Sequence, residues 1–233
     1  MRRIGFGLVV LMTVFASASA CQRRSDVPTP TVTAKGSAGE EDVPDLTIRQ
    51  VNLKAGETLL VSCSDEGGDA EVYWGNAPLH ADVATHGAGF YTTIFTLYSA
   101  DGGTADLVAS HVSSGDLTIN AYAVTNLAPS ALDKMAAAKG TGTSPSSGAT
   151  GATSHANEFL WGTIGYFANA KATGTWNDGF TPGGQFKSTG GISGVEDGYK
   201  AVSSTGAYTA AKSGIDKDDW TAVIATYTIS AGR

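Results

Sequence analysis

The chain has 233 residues, 22 of them acidic and 15 basic, with only 16% charged and a formal charge of −7. Beyond Arg23-Arg24 there is no run of Lys or Arg, which argues against nucleic acid as a partner. Two cysteines and four histidines without HxH or HExxH spacing argue against a disulfide framework and against a transition-metal centre.

Arg2 and Arg3 give a positive start, Ile4 to Phe15 an apolar run broken by Gly5, Gly7 and Thr13, and Ala16 to Ala20 a small-residue end. That is the layout of a secretory signal over residues 1–20, too short and wrongly flanked for a spanning helix. The next residues, Ala18-Ser19-Ala20-Cys21, resemble the lipobox of bacterial lipoproteins, with Ala18 where most lipoboxes carry Leu. The resemblance implies cleavage before Cys21 and acylation of that cysteine, and each buried methylene of such an anchor contributes about 0.8 kcal/mol. In that family an aspartate after the cysteine signals inner-membrane retention; Gln22 here points to the outer membrane or cell surface. The other reading is an ordinary cleavage after Ala20, leaving a Cys21–Cys63 disulfide open. Residues 21–44 hold prolines, glycines and mixed charge without an apolar period, and are predicted to be a disordered tether spanning roughly 25–30 Å. A single domain is predicted over 45–233.

From Asp45 the pattern is that of strands. LTIRQV (46–51) alternates, GETLLVSCS (56–64) holds a continuous apolar run that buries Cys63, and AEVYWGN (70–76), FYTTIFTLY (90–98) and LTINAYAVTNL (117–127) are rich in β-formers. Turns are predicted at Asp65-Glu66-Gly67-Gly68, Gly87-Ala88-Gly89, Asp101-Gly102-Gly103 and Ser114-Gly115-Asp116. Residues 131–138, ALDKMAAA, read equally as two helical turns or as loop. The small-residue stretch 140–154 reads as a long exposed loop inside one domain, the alternative being an interdomain linker. Strands resume with EFLWGTIGYFA (158–168), GYKAVSS (198–204), AYTAAKS (207–213) and DWTAVIATYTIS (219–230). This pattern predicts an all-β chain, a jelly-roll-like antiparallel sandwich of roughly ten to twelve strands.

The succession GETLLVSC, VYWGNAPL, TTIFTLYSADGG, LTINAYAVTNLAP, NEFLWGTIGYF and DWTAVIATYTI resembles β-sandwich modules of bacterial secreted and phage-borne surface proteins. The resemblance covers most of residues 54–230 and implies a fold and a surface role, without site residues.

Catalytic signatures are weak. No Gly-x-Ser-x-Gly elbow is present, and Glu196-Asp197, being adjacent on a strand, point to opposite faces and cannot act as a glycosidase pair. The candidate ligand site is Trp176, Asn177, Asp178 and Phe180, since aromatics flanked by amide and carboxylate suit sugar stacking. Asp216, Asp218 and Asp219 are the candidate ligands for calcium, the one metal the sequence suggests, because hard cations want clustered oxygens. Trp74, Trp161 and Trp220 are expected in the core.

The expected function is therefore a lipid-anchored, surface-displayed sandwich that binds a carbohydrate or an envelope protein without catalysis. The alternatives are a carbohydrate-active enzyme or lyase, and a structural envelope subunit.

Overall fold

The computed structural model describes residues 27–68, 70–87, 89–167, 174–190 and 193–231. The predicted leader and Cys21 lie outside them. Among the described residues there are fifteen strands and no helix. The first half of the chain supplies β1 (Val32–Leu53), β2 (Thr58–Asp65), β3 (Glu71–Trp74), β4 (Ala77–Pro78), β5 (His80–Gly87), β6 (Phe90–Leu97) and β7 (Gly103–Val124). The second half supplies β8 (Leu127–Gly142), β9 (Ser146–Ala149), β10 (Asn157–Phe167), β11 (Thr175–Trp176), β12 (Thr181–Lys187), β13 (Ser193–Ser203), β14 (Thr209–Ser213) and β15 (Asp218–Ile229).

Each half builds its own sheets. Strands β4-β3-β7-β2-β6-β5, with β1 paired along β7, form a seven-stranded antiparallel sheet; β12-β13-β10-β15-β8 form a five-stranded one; β11-β14-β9 make a small third sheet. The expected all-β antiparallel sandwich is therefore present, with more strands than predicted.

The frame of the first sheet is a ribbon of two 22-residue strands, β1 and β7, paired from Val32↔Val124 to Leu53↔Gly103. Register shifts around Glu40, Val43 and Asp45 bend this ribbon midway, as bulges do. The two arms fold against each other, so that Ile48, Leu53, Leu107 and Ala109 share a core with Val61, Cys63, Ile119 and Ala121. At Gly36 the arms approach closely: a Cβ there would lie 2.7 Å from Ile48 Cγ2. The Ser114-Gly115-Asp116 signal marks this bend and not a strand end. Cys63 is a free thiol with no exposure, and burial pushes it well above the ordinary thiol range.

Three stretches depart from what their composition predicts. Residues 32–44, predicted as tether, are strand: Val32 to Glu40 pair with Val124 to Leu117. Their order comes from backbone bonds to β7, which an apolar count does not register. Residues 131–138 are neither helix nor loop but the middle of β8, where Ala136–Ala138 pair with Ile224–Ala222. Pairing to β15 and burial of Ala131 outweigh the helix propensity of Ala, Met and Lys. The stretch 140–154 likewise carries the end of β8 and all of β9, and Thr150 and Thr153 donate backbone N–H bonds to Tyr208 and Gly206 at 2.9 Å each.

The first two sheets meet over Leu60, Ile94, Tyr122, Phe159, Trp161, Val223 and Tyr227. This interior is also polar. Asp197, fully buried, accepts bonds from Asn120 (2.8 Å) and Tyr122 (3.1 Å) of the facing sheet and from Thr163 (2.9 Å) of its own. Ser62 bridges Thr163 at 2.7 Å and accepts from the Trp161 indole at 3.0 Å. The small third sheet covers the other face of the second, burying Leu160, Ile164, Trp176, Phe180 and Ala210. Glu196 and Asp197 point to opposite faces as predicted: Asp197 faces the first sheet, and Glu196 meets Lys212 of β14 at 2.5 Å.

Candidate functional site

The residues singled out from sequence do not form a stacking platform. Trp176 and Phe180 are 6% exposed and stack on each other with ring centroids 5.7 Å apart. The Trp176 ring also lies against Gly198, where a Cβ would sit 2.7 Å from it, and 6.0 Å from the Lys212 ammonium. The Gly/Pro-rich setting suggested an open loop, but pairing of β11 to β14 turns the ring inward. Asn177 is tied to the same strand, accepting from Ser213 Oγ at 3.1 Å. Asp178 is exposed, and its carbonyl accepts from Lys200 Nζ at 2.5 Å. Both Asp178 and Phe180 border a shallow hollow of about 400 Å³ with Lys200 and Tyr208.

The acidic run is also dispersed. Asp218 accepts the Asp219 backbone N–H at 2.8 Å, and Asp219 accepts from the Thr141 hydroxyl. Among the described residues no three His, Cys, Asp or Glu side chains converge as a metal site, so Asp216, Asp218 and Asp219 do not form the predicted calcium site. The proposed lipidation residue, Cys21, lies outside the described residues.

A different site forms where the edges of the two main sheets meet. A cleft of about 380 Å³ opens between β5 and β8, lined by His80, Asp82, Tyr98, Ser130 and Leu132. A register irregularity between Ala81 and Val83 sets Asp82 apart from its neighbours, and its side chain is wholly enclosed. Oδ2 of Asp82 accepts from Thr96 (2.9 Å), Tyr98 (2.9 Å) and Tyr227 (2.8 Å), while Oδ1 pairs with Nδ1 of His80 at 2.9 Å. Oδ2 thus carries three donors and Oδ1 one, all from within the fold. Burial, reinforced by Asp82, raises both phenols well above the ordinary tyrosine range and keeps them as donors.

The consequence is a rigid floor. Tyr98 is half-buried with its hydroxyl committed, and its ring lies tilted against Tyr227 at 6.4 Å. His80 is held through Nδ1 while 72% of its side chain is exposed, leaving Nε2 free to meet a ligand. Ser130 stands on the opposite lip in a left-handed conformation, φ 58°, unusual for a residue with a side chain. None of these residues is among those singled out from sequence; the one local signal is the two-residue spacing of His80 and Asp82, and their partners come from β6, β8 and β15, which no local reading connects.

A second ionisable cluster lies next along β8. Asp133 accepts from Lys134 Nζ (2.6 Å) and from the Ser154 backbone (2.5 Å), and these bonds hold it well below the ordinary carboxylate range. Glu158, with no exposure, is pushed by burial up to about 7. Burial likewise pushes Asp197 up to about 6.

No protein-family model, curated protein or solved structure matches this chain.

Proposed function

We propose that this protein is an exported, lipid-anchored sandwich domain of the cell envelope that works by binding, without catalysis, and that its ligand enters the cleft between β5 and β8. The observation that carries this reading is the Asp82 hub: Asp82, itself bonded to Thr96 and to Tyr227 of the other sheet, holds Tyr98 and His80 in place at a solvent-facing cleft. Pockets with apolar walls and a few converging polar groups are where small ligands bind. Because the Asp82 side chain is wholly enclosed and bonded to four neighbours, it positions them and does not itself reach a ligand.

The anchor reading rests on the lipobox-like Ala18-Ser19-Ala20-Cys21. From Cys21 to Val27 there are six residue steps, a reach of at most about 20 Å. Val27 to Pro30 lie against Ala201–Ser203 and Ile229, and Thr29 accepts from Asn126 at 2.9 Å, at the end of the sandwich where Tyr98 and Ser130 also lie. The cleft would therefore sit near the membrane surface and not at the end of a long tether.

The test is the intact mass of protein purified from its own membranes, before and after hydrolysis of ester-linked acyl chains, beside a ligand-observed NMR screen of a fragment library against wild type and Ser130→Arg. Acyl mass on Cys21 and fragment signals lost in Ser130→Arg are expected. An unacylated soluble chain would overturn the anchor, and fragments indifferent to Ser130→Arg would overturn the cleft.

A further inference from the structure

We infer that the ligand of the Asp82 cleft is a carbohydrate, taken as a single sugar ring or a short oligosaccharide end; this inference rests on the cleft being the binding site. Asp82 faces four partners at 2.8–2.9 Å and its side chain has no exposure, so it offers no open carboxylate to a cation or an ammonium group. Tyr98 donates its hydroxyl to Asp82, so what it presents to the cleft is ring surface, fixed in position. Leu132 adds a second apolar wall, and is itself packed against the core between the sheets.

Around these walls stand two hydrogen-bonding groups, His80 and Ser130. With Nδ1 bonded to Asp82, His80 presents Nε2 to the cleft as its second hydrogen-bonding atom. Ser130 brings a hydroxyl that both donates and accepts. An aromatic surface beside groups that exchange hydrogen bonds with hydroxyls is the complement of a pyranose, whose axial C–H face is apolar and whose rim carries hydroxyls. A fully apolar ligand would make no use of the His80 and Ser130 groups. At about 380 Å³ the cleft lies at the small end of ligand pockets, which suits one or two sugar rings and not a polymer groove. Preorganisation matters here: Tyr98 and His80 are already fixed by Asp82, so little side-chain freedom is lost on binding.

The experiment is saturation-transfer NMR and calorimetry on the full chain in a detergent without a sugar head group, against a panel of methyl glycosides of common hexoses and N-acetylhexosamines. At least one glycoside is expected to bind in the millimolar range or tighter. Tyr98→Phe, which keeps the ring, should stay within about threefold of wild type, while Tyr98→Ala should weaken binding by about tenfold or more. If Tyr98→Ala does not fold, Ser130→Arg, which changes an exposed residue and fills the cleft, should abolish glycoside signals with the circular dichroism unchanged. No binding across the panel, or binding indifferent to Ser130→Arg, overturns the carbohydrate assignment. Fragments that still occupy the cleft in that case would leave the binding site itself standing, whereas loss of both would remove it.

Discussion

Tyr227 and Asp82 are 145 residues apart in the chain and meet in a 2.8 Å hydrogen bond that ties the last strand of the second sheet to the edge of the first. Thr96 and Tyr98 reach the same carboxylate oxygen, so one buried group joins β5, β6 and β15. Deleting a donor to a charged acceptor costs about 1.5–3 kcal/mol, and that is the loss expected for Tyr227→Phe. Asp82→Ala leaves several buried donors unpaired and should cost about 3–5 kcal/mol. In the Asp82→Ala background, Tyr227→Phe should cost much less than in wild type. Urea unfolding of the four proteins in a double-mutant cycle checks this, and additive losses would mean that the bond is not the link between the sheets.

The pH dependence of stability follows from two buried carboxyls, Asp197 raised from 3.8 to about 6 and Glu158 from 4.5 to about 7, each chiefly by burial. A carboxyl raised on folding binds its proton more tightly in the native state, so its contribution is fully present below the unfolded value and is lost as pH climbs through the folded one. The urea midpoint should therefore fall between about pH 4 and pH 7. Asp197→Asn should flatten the part of the fall up to about pH 6, and Glu158→Gln the part up to about pH 7. A midpoint that rises over this interval, or variants with the wild-type slope, would contradict the assignment.

The small third sheet is pinned by Lys212, whose ammonium reaches both oxygens of Glu196 at 2.5 and 2.6 Å while only 1% of its side chain is exposed. Removing one member of a buried pair strands the other, so Lys212→Met should destabilise by about 3–5 kcal/mol. Replacing both, as Lys212→Met with Glu196→Gln, should recover most of that loss, because the stranded charge is gone. Hydrogen exchange should locate the loosening in β9 and β14; uniform loosening across the two large sheets would refute a local role.

How far the sequence carried the fold depended on the origin of each strand's stability. LTINAYAV and EFLWGTIGYF announce themselves by alternation or apolar content, and both are strands. Residues 32–44 and 131–142 hold few large apolar groups and are strands only because β7 and β15 lie beside them. Long-range pairing leaves no local signature, so composition pointed elsewhere. The cleft was hidden for the same reason: His80 and Asp82 are two residues apart, but Tyr98, Ser130 and Tyr227 join them only after the sheets pack. With Trp176 the error ran the other way, because a Gly/Pro-rich flank concealed a two-residue strand that draws the ring into the core.

That placement gives a decisive test of Trp176 as a core residue. Its ring is stacked on Phe180, packed against Gly198 and near the Lys212 ammonium, with 6% of the residue exposed. Truncating a buried aromatic removes its transfer energy and leaves a cavity, so Trp176→Ala should cost about 3–5 kcal/mol. The neighbouring Asp178 is exposed in a left-handed conformation, φ 53°, which Asn tolerates, so Asp178→Asn should change stability by less than about 0.5 kcal/mol. Ligand affinity at the Asp82 cleft should be unchanged in folded Trp176→Ala, because the ring lies in the core between the second and third sheets and the cleft lies between β5 and β8. A variant that keeps its melting temperature but loses ligand would instead make Trp176 a contact residue and return the binding site to the loop at 176–180.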